Sequence, residues 1–271
     1  MNENDTDVES EHGRIDIKRV IDEVQDRGPS RRTFLAGTAV AGAGALGLSP
    51  LTGASSDDNE GNATAGGNKT AGKQMGMGDV HEMGTDVDVL NYALTLEHLE
   101  DVFYREFLND VSKEEFVNSE ALQNFNAWEK RASYDFIEKV GEHESTHVEV
   151  LTKVIQTLGG EPVPACTYNF GVESVGEYLT VAQALENTGV AAYDGALALI
   201  ESPDLTTASA TIATVEARHA SFLNFLNGDV PFPGAFDDAK AAEEILAIAG
   251  QFIESCPEEM GAKPENGTQN G

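Results

Sequence analysis

From residue 86 onward, apolar side chains recur at intervals of three and four, the spacing that lines up one face of an α-helix. Residues 86–109 carry Leu90, Leu94, Tyr104 and Leu108 on one stripe and predict a first long helix. Residues 126–158 predict a second, closed by Gly159, Gly160 and Pro162, residue types that end helices. Residues 174–200 predict a third, stopped by Ser202-Pro203, and residues 204–227 a fourth, closed by Gly228. A shorter fifth helix is expected over about 237–254, and a small one around 113–116. No stretch alternates convincingly enough for a strand, so the predicted class is all-α. Between the second and third helices lie about 14 residues that include Pro162, Pro164 and Gly171. Fully extended, they reach roughly 45 Å, whereas a 25-residue helix is about 38 Å long. That connection can cross the whole assembly, which predicts a four-helix bundle with one long crossover and a short C-terminal fifth helix.

The pattern before residue 85 is different. Ser30-Arg31-Arg32-Thr33-Phe34-Leu35 matches the twin-arginine export signal, and a Gly- and Ala-rich apolar run follows to Leu51. That run is short for a membrane span. Thr52-Gly53-Ala54 offers small residues for cleavage, which would start the mature chain near Ser55; an uncleaved N-terminal anchor is the alternative. No cysteine stands beside the run, which argues against a lipid anchor. The expected organisation is a signal region over 1–54, a flexible linker over 55–84, a bundle over 85–257 and a polar tail over 258–271. The linker and tail hold three glycosylation sequons, at Asn62, Asn68 and Asn266. Met75, Met77, His81 and Met83 form a small cluster of a kind that suits copper, although a chance grouping in a linker is the better explanation. The twin-arginine signal is a receptor-read address, so the expected location is extracellular or at the cell surface.

Within the bundle, carboxylates and histidines repeat. The second helix contains Glu144-Ser145-Thr146-His147 and the fourth contains Glu216-Ala217-Arg218-His219. A spacing of three puts both side chains of each pair on one helix face. The first and third helices supply Leu96-Glu97 and Leu185-Glu186, each with a tyrosine seven residues on, Tyr104 and Tyr193. An ionised Glu facing a core is costly unless a cation or partner neutralises it. The order Glu, Glu-x-x-His, Glu, Glu-x-x-His is the ligand scheme of carboxylate-bridged dinuclear iron and manganese proteins. Candidate ligands are therefore Glu97, Glu144, His147, Glu186, Glu216 and His219, holding two iron or manganese ions per chain, with Glu144 and Glu216 bridging. Glu100 is an alternative to Glu97. Tyr104 and Tyr193 read either as supports to that site or as core aromatics. His143 and His98 read as residues outside the ligand set.

Charge narrows the partners. The chain has 47 Asp and Glu against 17 Lys and Arg, a formal net charge of −30. The leading 54 residues carry 6 basic and 9 acidic side chains, so the remainder keeps 11 against 38 and a net charge of −27. No basic face is available for a phosphate backbone, nor for anionic lipid, so neither nucleic acid nor a membrane is an expected partner of the mature chain. Such a surface reads as adaptation to a salty, halophilic medium, where screening removes most self-repulsion.

Several motifs resemble the ferritin-like domain family that includes desiccation-related and fungal stress-response proteins. They are Leu94-Thr95-Leu96-Glu97-His98-Leu99-Glu100 with Phe103-Tyr104, His143-Glu144-Ser145-Thr146-His147, Ala184-Leu185-Glu186-Asn187-Thr188-Gly189 through Tyr193, and Val215-Glu216-Ala217-Arg218-His219. Pro164-Ala165-Cys166-Thr167-Tyr168 and the segment from Phe232 to Pro257 share the likeness. His98 departs from it, standing where an aromatic is expected. The resemblance implies a ferritin-like bundle and a metal site more firmly than a reaction. Cys166 and Cys256, the only cysteines, both fall in these segments, and an isolated pair in an exported chain suggests a disulfide. Two functions follow as expectations. One is a redox protein whose metals meet O₂ or peroxide and oxidise Fe(II) or consume the peroxide; the other is a non-enzymatic stress or surface protein stapled by its metal. Export and glycosylatable tails argue against a closed iron-storage cage. A homo-oligomer is compatible with the sequence, which leaves the oligomeric state open.

Overall fold

The computed structural model describes residues 16–27 and 83–257. The twin-arginine hexad, its apolar run, the three sequons, and Met75, Met77 and His81 lie outside them. Four long helices make the bundle: α2 (Asp86–Asp110), α4 (Ala127–Thr157), α5 (Val175–Leu197) and α6 (Pro203–Leu226). Their starts are written locally. Thr85 and Asp88, and then Asn126 and Glu129, form capping boxes in which side chain and backbone exchange hydrogen bonds. Ser202 caps α6 with Pro203 at its first turn. Gly159 and Gly228 end α4 and α6 in the left-handed region, at φ of 81° and 84°, which glycine adopts without a Cβ clash. Short α3 (Lys113–Asn118) and a 3₁₀ turn at Glu120–Leu122 fill the α2–α4 connection.

The closest helix pairings are α2 with α4 and α5 with α6, and α2 also meets α5. Residues 158–174 make the crossover along α2. Asn91 donates to the Glu161 carbonyl at 3.0 Å and accepts from the Val163 amide. His98 Nε2 lies 3.1 Å from the Val163 carbonyl, and further along Phe170 meets Phe103 edge-on. His98 is thus spent on holding the crossover. Buried Phe103, Tyr104, Phe107 and Phe116 form an aromatic core with Tyr178, which stacks on Phe107. Met83 packs against the same core.

Three features depart from the sequence reading. The expected fifth helix contracts to α7 (Ala242–Ala249), because residues 236–241 run extended against α5, with the Lys240 amide donating to the Ala191 carbonyl. Two short strands exist: β1 (Thr167–Tyr168) in the crossover pairs antiparallel with β2 (Ile253–Ser255). Beside them Cys166 and Cys256 form the disulfide, 90 residues apart in sequence. Finally, α1 (Ile17–Arg27) forms within the segment read as signal region, and it seats on α4 and α6. Its Ile17, Val20 and Val24 join Leu94, Leu151, Leu205 and Ile212 in a second apolar cluster, and Glu23 pairs with Lys153. Three such side chains fully buried contribute roughly 1.5–3 kcal/mol each before ordering costs. Among the described residues no helix is long and apolar enough to cross a membrane.

Candidate metal centre

Each long helix turns a carboxylate of the repeated motifs into the bundle interior. Glu97 on α2, Glu144 on α4, Glu186 on α5 and Glu216 on α6 are each 0% exposed, and His147 and His219 are buried beside them. The three-residue spacing on α4 and α6 does what it must: His147 and Glu144 share a face, as do His219 and Glu216. The six side chains fall into two groups, Glu97, Glu144, His147 and Glu216, and Glu144, Glu186, Glu216 and His219, whose ligand atoms lie within 4.8 Å of one another in each group. Either group could hold a metal ion. Glu100 belongs to neither, although it is buried next to them.

The distances show how the groups meet. His147 Nδ1 lies 3.2 Å from Glu97 Oε2, 3.1 Å from Glu144 Oε2 and 3.1 Å from Glu216 Oε1. His219 Nδ1 lies 3.0 Å from Glu144 Oε1, 3.2 Å from Glu186 Oε2 and 3.7 Å from Glu216 Oε2. Glu144 and Glu216 therefore send one oxygen to each group. One imidazole nitrogen carries at most one proton and cannot hydrogen-bond three carboxylates well. Glu144 Oε1 and both Glu216 oxygens accordingly have no hydrogen-bond partner despite full burial. Orphaned acceptors around two points, all hard oxygen or imidazole donors, fit metal cations of the iron and manganese type.

Outside this set the support is reciprocal. Tyr104 on α2 donates its hydroxyl to Glu186 on α5 at 2.5 Å, and Tyr193 on α5 donates to Glu97 on α2 at 2.5 Å. The sequence pairs each tyrosine with the carboxylate of its own helix; the bundle hands it to the other half. His143, which the sequence placed outside the ligands, stacks on His219 with its Nδ1 2.9 Å from His219 Nε2. If Nδ1 of His219 serves a cation, its Nε2–H is free to donate to His143, which fixes the tautomer. The sequence signal for this was present, since His143 directly precedes the Glu-x-x-His motif, but only the fold shows which way the ring points.

Without metal, charge is balanced by protons. Burial pushes the Glu97 carboxyl up to about 8, against the pull of His147. Burial also raises Glu186, against the pull of His219. Burial alone would raise Glu144 and Glu216 as well, but the two imidazoles hold both below the ordinary carboxylate range. Burial opposes the imidazolium forms of His147 and His219, yet the facing carboxylates raise both rings well above their usual value. Burial and the facing charges thus favour protons on Glu97, Glu186, His147 and His219 and oppose them on Glu144 and Glu216. An apolar pocket of about 230 Å³ lies against His147 and His143, walled by Leu90, Val150 and Ile212, with Ile17 and Ile21 of α1 on its rim.

The ferritin-like domain profile matches residues 85–229, more than half of the chain. This protein belongs to the ferritin-like domain family. It is also similar to Protein rds1 of Schizosaccharomyces pombe, 27% identical over 123 residues, a stretch that is 45% of this chain and 30% of the fungal protein. The matched span holds all four long helices and every member of the two groups. In this ferritin-like protein the crossover lies within the matched span, whereas α7 and Cys256 lie beyond it.

Proposed function

We propose that this protein holds two iron or manganese ions in the four-helix interior and is an exported redox protein that oxidises Fe(II) or consumes peroxide or O₂ in stress protection. The observation that carries the reading is the split of Glu144 and Glu216, each with one oxygen in both cation groups. Carboxylates so placed would be shared between a pair of ions. When bound, such a pair would pass electrons from a reductant, Fe(II) or peroxide, to an acceptor, O₂ or peroxide.

The chain's own residues do the rest. Glu97 and His147 would complete one end, Glu186 and His219 the other. Tyr193 and Tyr104 hold the terminal carboxylates by their hydroxyls. Leu90, Val150 and Ile212 keep bulk water from His147, while the pocket they wall admits a small uncharged molecule such as O₂ or hydrogen peroxide. Export rests on the Ser30–Leu35 hexad, and the stress role rests on the family resemblance.

Metal analysis of protein purified from its native cell identifies the ions, since a foreign host loads by availability and intrinsic affinity. Two equivalents per chain are expected, falling below one in the Glu144→Ala, Glu216→Ala double variant. Unchanged metal content in that variant refutes the site. Loaded protein is then given O₂ or peroxide with Fe(II); full loading with no consumption supports the second reading, a metal-stapled non-enzymatic protein.

A further inference from the structure

The segment that begins at Phe232 takes no part in the metal centre, and it presents an aromatic knob. Phe236 is 94% exposed, yet the backbone on either side of it is pinned. A Cβ added at Gly234 would lie 2.8 Å from the Phe236 carbonyl oxygen, and one added at Gly195 of α5 would lie 2.0 Å from the Lys240 carbonyl oxygen. Both close approaches therefore need glycine. With the Lys240 amide also bonded to the Ala191 carbonyl, the segment holds the Phe236 ring out in water.

Beside the knob lies an open groove of about 990 Å³ between α5, α6 and this segment. Ala217 and Ala220 give it room, while Phe222, Phe225 and Phe232 give it aromatic walls. Phe225 is 51% and Phe232 78% exposed, and Phe136 of α4, edge-on to Phe222, is 51% exposed. At roughly 150–250 Å² per aromatic side chain, Phe136, Phe225, Phe232 and Phe236 leave about 400–700 Å² of apolar surface in water. The largest patch on a typical monomer is about 300–600 Å², and a stable interface takes about 800 Å² from each partner.

Charge decides which partner fits. The chain carries −30, so most of its surface repels a second copy. Of the charged side chains that line the groove, however, Arg218 and Lys240 are basic and Asp237 and Asp238 acidic. Anionic lipid is repelled by the rest of the chain, and a basic partner finds no net acidic face here. A second copy does fit. A face that carries a knob beside a groove, and both signs of charge, complements itself about a two-fold axis.

We propose that this face is the two-fold interface of a homodimer that forms when salt screens the charge of the two copies. Phe236 of each copy enters the other's groove, and Asp237 and Asp238 approach the other's Arg218. Screening is what admits the contact, because the Debye length falls from about 10 Å at 0.1 M salt to about 3 Å at 1 M. The interface goes beyond the metal reading and does not depend on it.

Sedimentation equilibrium of the full-length chain in low and molar KCl tests this, with Phe236→Ala and Ala217→Trp in parallel. Neither substitution changes charge: the first removes the knob and the second fills the groove. Circular dichroism verifies that each variant is folded, and the exposure of Phe236 means that its loss leaves the core intact. The parent should be a dimer in molar salt and dissociate at least tenfold more readily in low salt. Each variant should weaken the molar-salt dimer at least tenfold with an unchanged melting temperature. A parent that stays monomeric in molar salt overturns the proposal. A dimer that both variants leave unchanged places the association on another face and overturns it equally, and a dimer favoured by low salt overturns the role of screening.

Discussion

Replacing Cys166 and Cys256 together by serine removes the one covalent tie between the crossover and the C-terminal segment. The bond spans 90 residues of sequence, enclosing α5, α6 and α7 in one loop. Closing a loop of that length lowers the entropy of the unfolded chain by about 15 cal/mol/K in the chain-entropy treatment, which is about 4–5 kcal/mol at 25 °C. Besides the packing of α7 on α5, the non-covalent contacts that remain near the bond are the β1–β2 pairing, the Asn169 amide donating to the Phe252 carbonyl at 2.8 Å, and the packing of Phe170 on Phe252. They cannot replace the lost constraint, because they act only once the ends have met. Against a typical total of 5–15 kcal/mol the loss is large. For a domain of this size each kcal/mol moves Tm by about 2–4 °C, so the double variant should melt about 8–20 °C below the parent. Calorimetry on metal-free protein, with the parent run in parallel under reducing agent, measures it. Metal capacity should be unchanged, since neither cysteine belongs to the ligand groups. A Tm shift under about 3 °C would show that the tail is held by packing and that the entropic reasoning is wrong.

Loading a divalent pair should release protons from among Glu97, Glu186, His147 and His219, because all four bind protons more tightly in the metal-free fold than in the open chain. Titration in buffers of different ionisation heat counts them, and a release below two contradicts the charge balance described above. By the same linkage the metal-free fold is most favoured by Glu97 below about 4.5 and loses that contribution as pH rises through about 8. His143, lowered to about 4 chiefly by burial, acts the other way: its contribution is present above 6.5 and lost as pH falls toward 4. With Glu97, Glu186, His147 and His219 raised against two lowered histidines, His143 and His98, metal-free Tm should fall between pH 5 and 8, whereas affinity for metal rises; a flat Tm profile would count against it. Tyr193→Phe removes the hydroxyl held by Glu97, and should speed metal loss to a chelator by about 10–100-fold; an unchanged rate makes Tyr193 a core aromatic only. A chain beginning at residue 55 loses α1 and uncovers the apolar surface against Ile17, Val20 and Val24. It should bind a hydrophobic dye more strongly and melt a few degrees lower, and indistinguishable dye binding would show that α1 does not cover that surface in solution.

Most of the bundle is legible in one dimension because helices are local objects. The period of Leu90, Leu94 and Leu108, the capping boxes at Thr85 and Asn126, and the stops at Gly159 and Gly228 act within a few residues of themselves. The spacing of Glu144 with His147 and of Glu216 with His219 is equally local, so the candidate ligands could be named before the helices were assembled. The α1 pattern is visible too: Ile17, Val20, Ile21 and Val24 follow helical spacing, although they stand before the arginine pair of the export motif. Short β1 and β2 carry no strand period, and residues 236–241 are extended only because α5 offers the Ala191 carbonyl.

What the tertiary structure alone decided is who faces whom. By itself the sequence determined an acidic, all-α chain with four inward carboxylates and two histidines in a fixed helix order. Only the packing crossed Tyr104 and Tyr193 to the opposite halves, split Glu144 and Glu216 between two cation groups, and turned His143 onto His219. The physical reason is range. Propensity, capping and face are set by neighbours three and four residues away, whereas a metal pair needs oxygen and nitrogen atoms from four helices within a few ångströms, an arrangement specified by side-chain packing across the bundle rather than along any one helix.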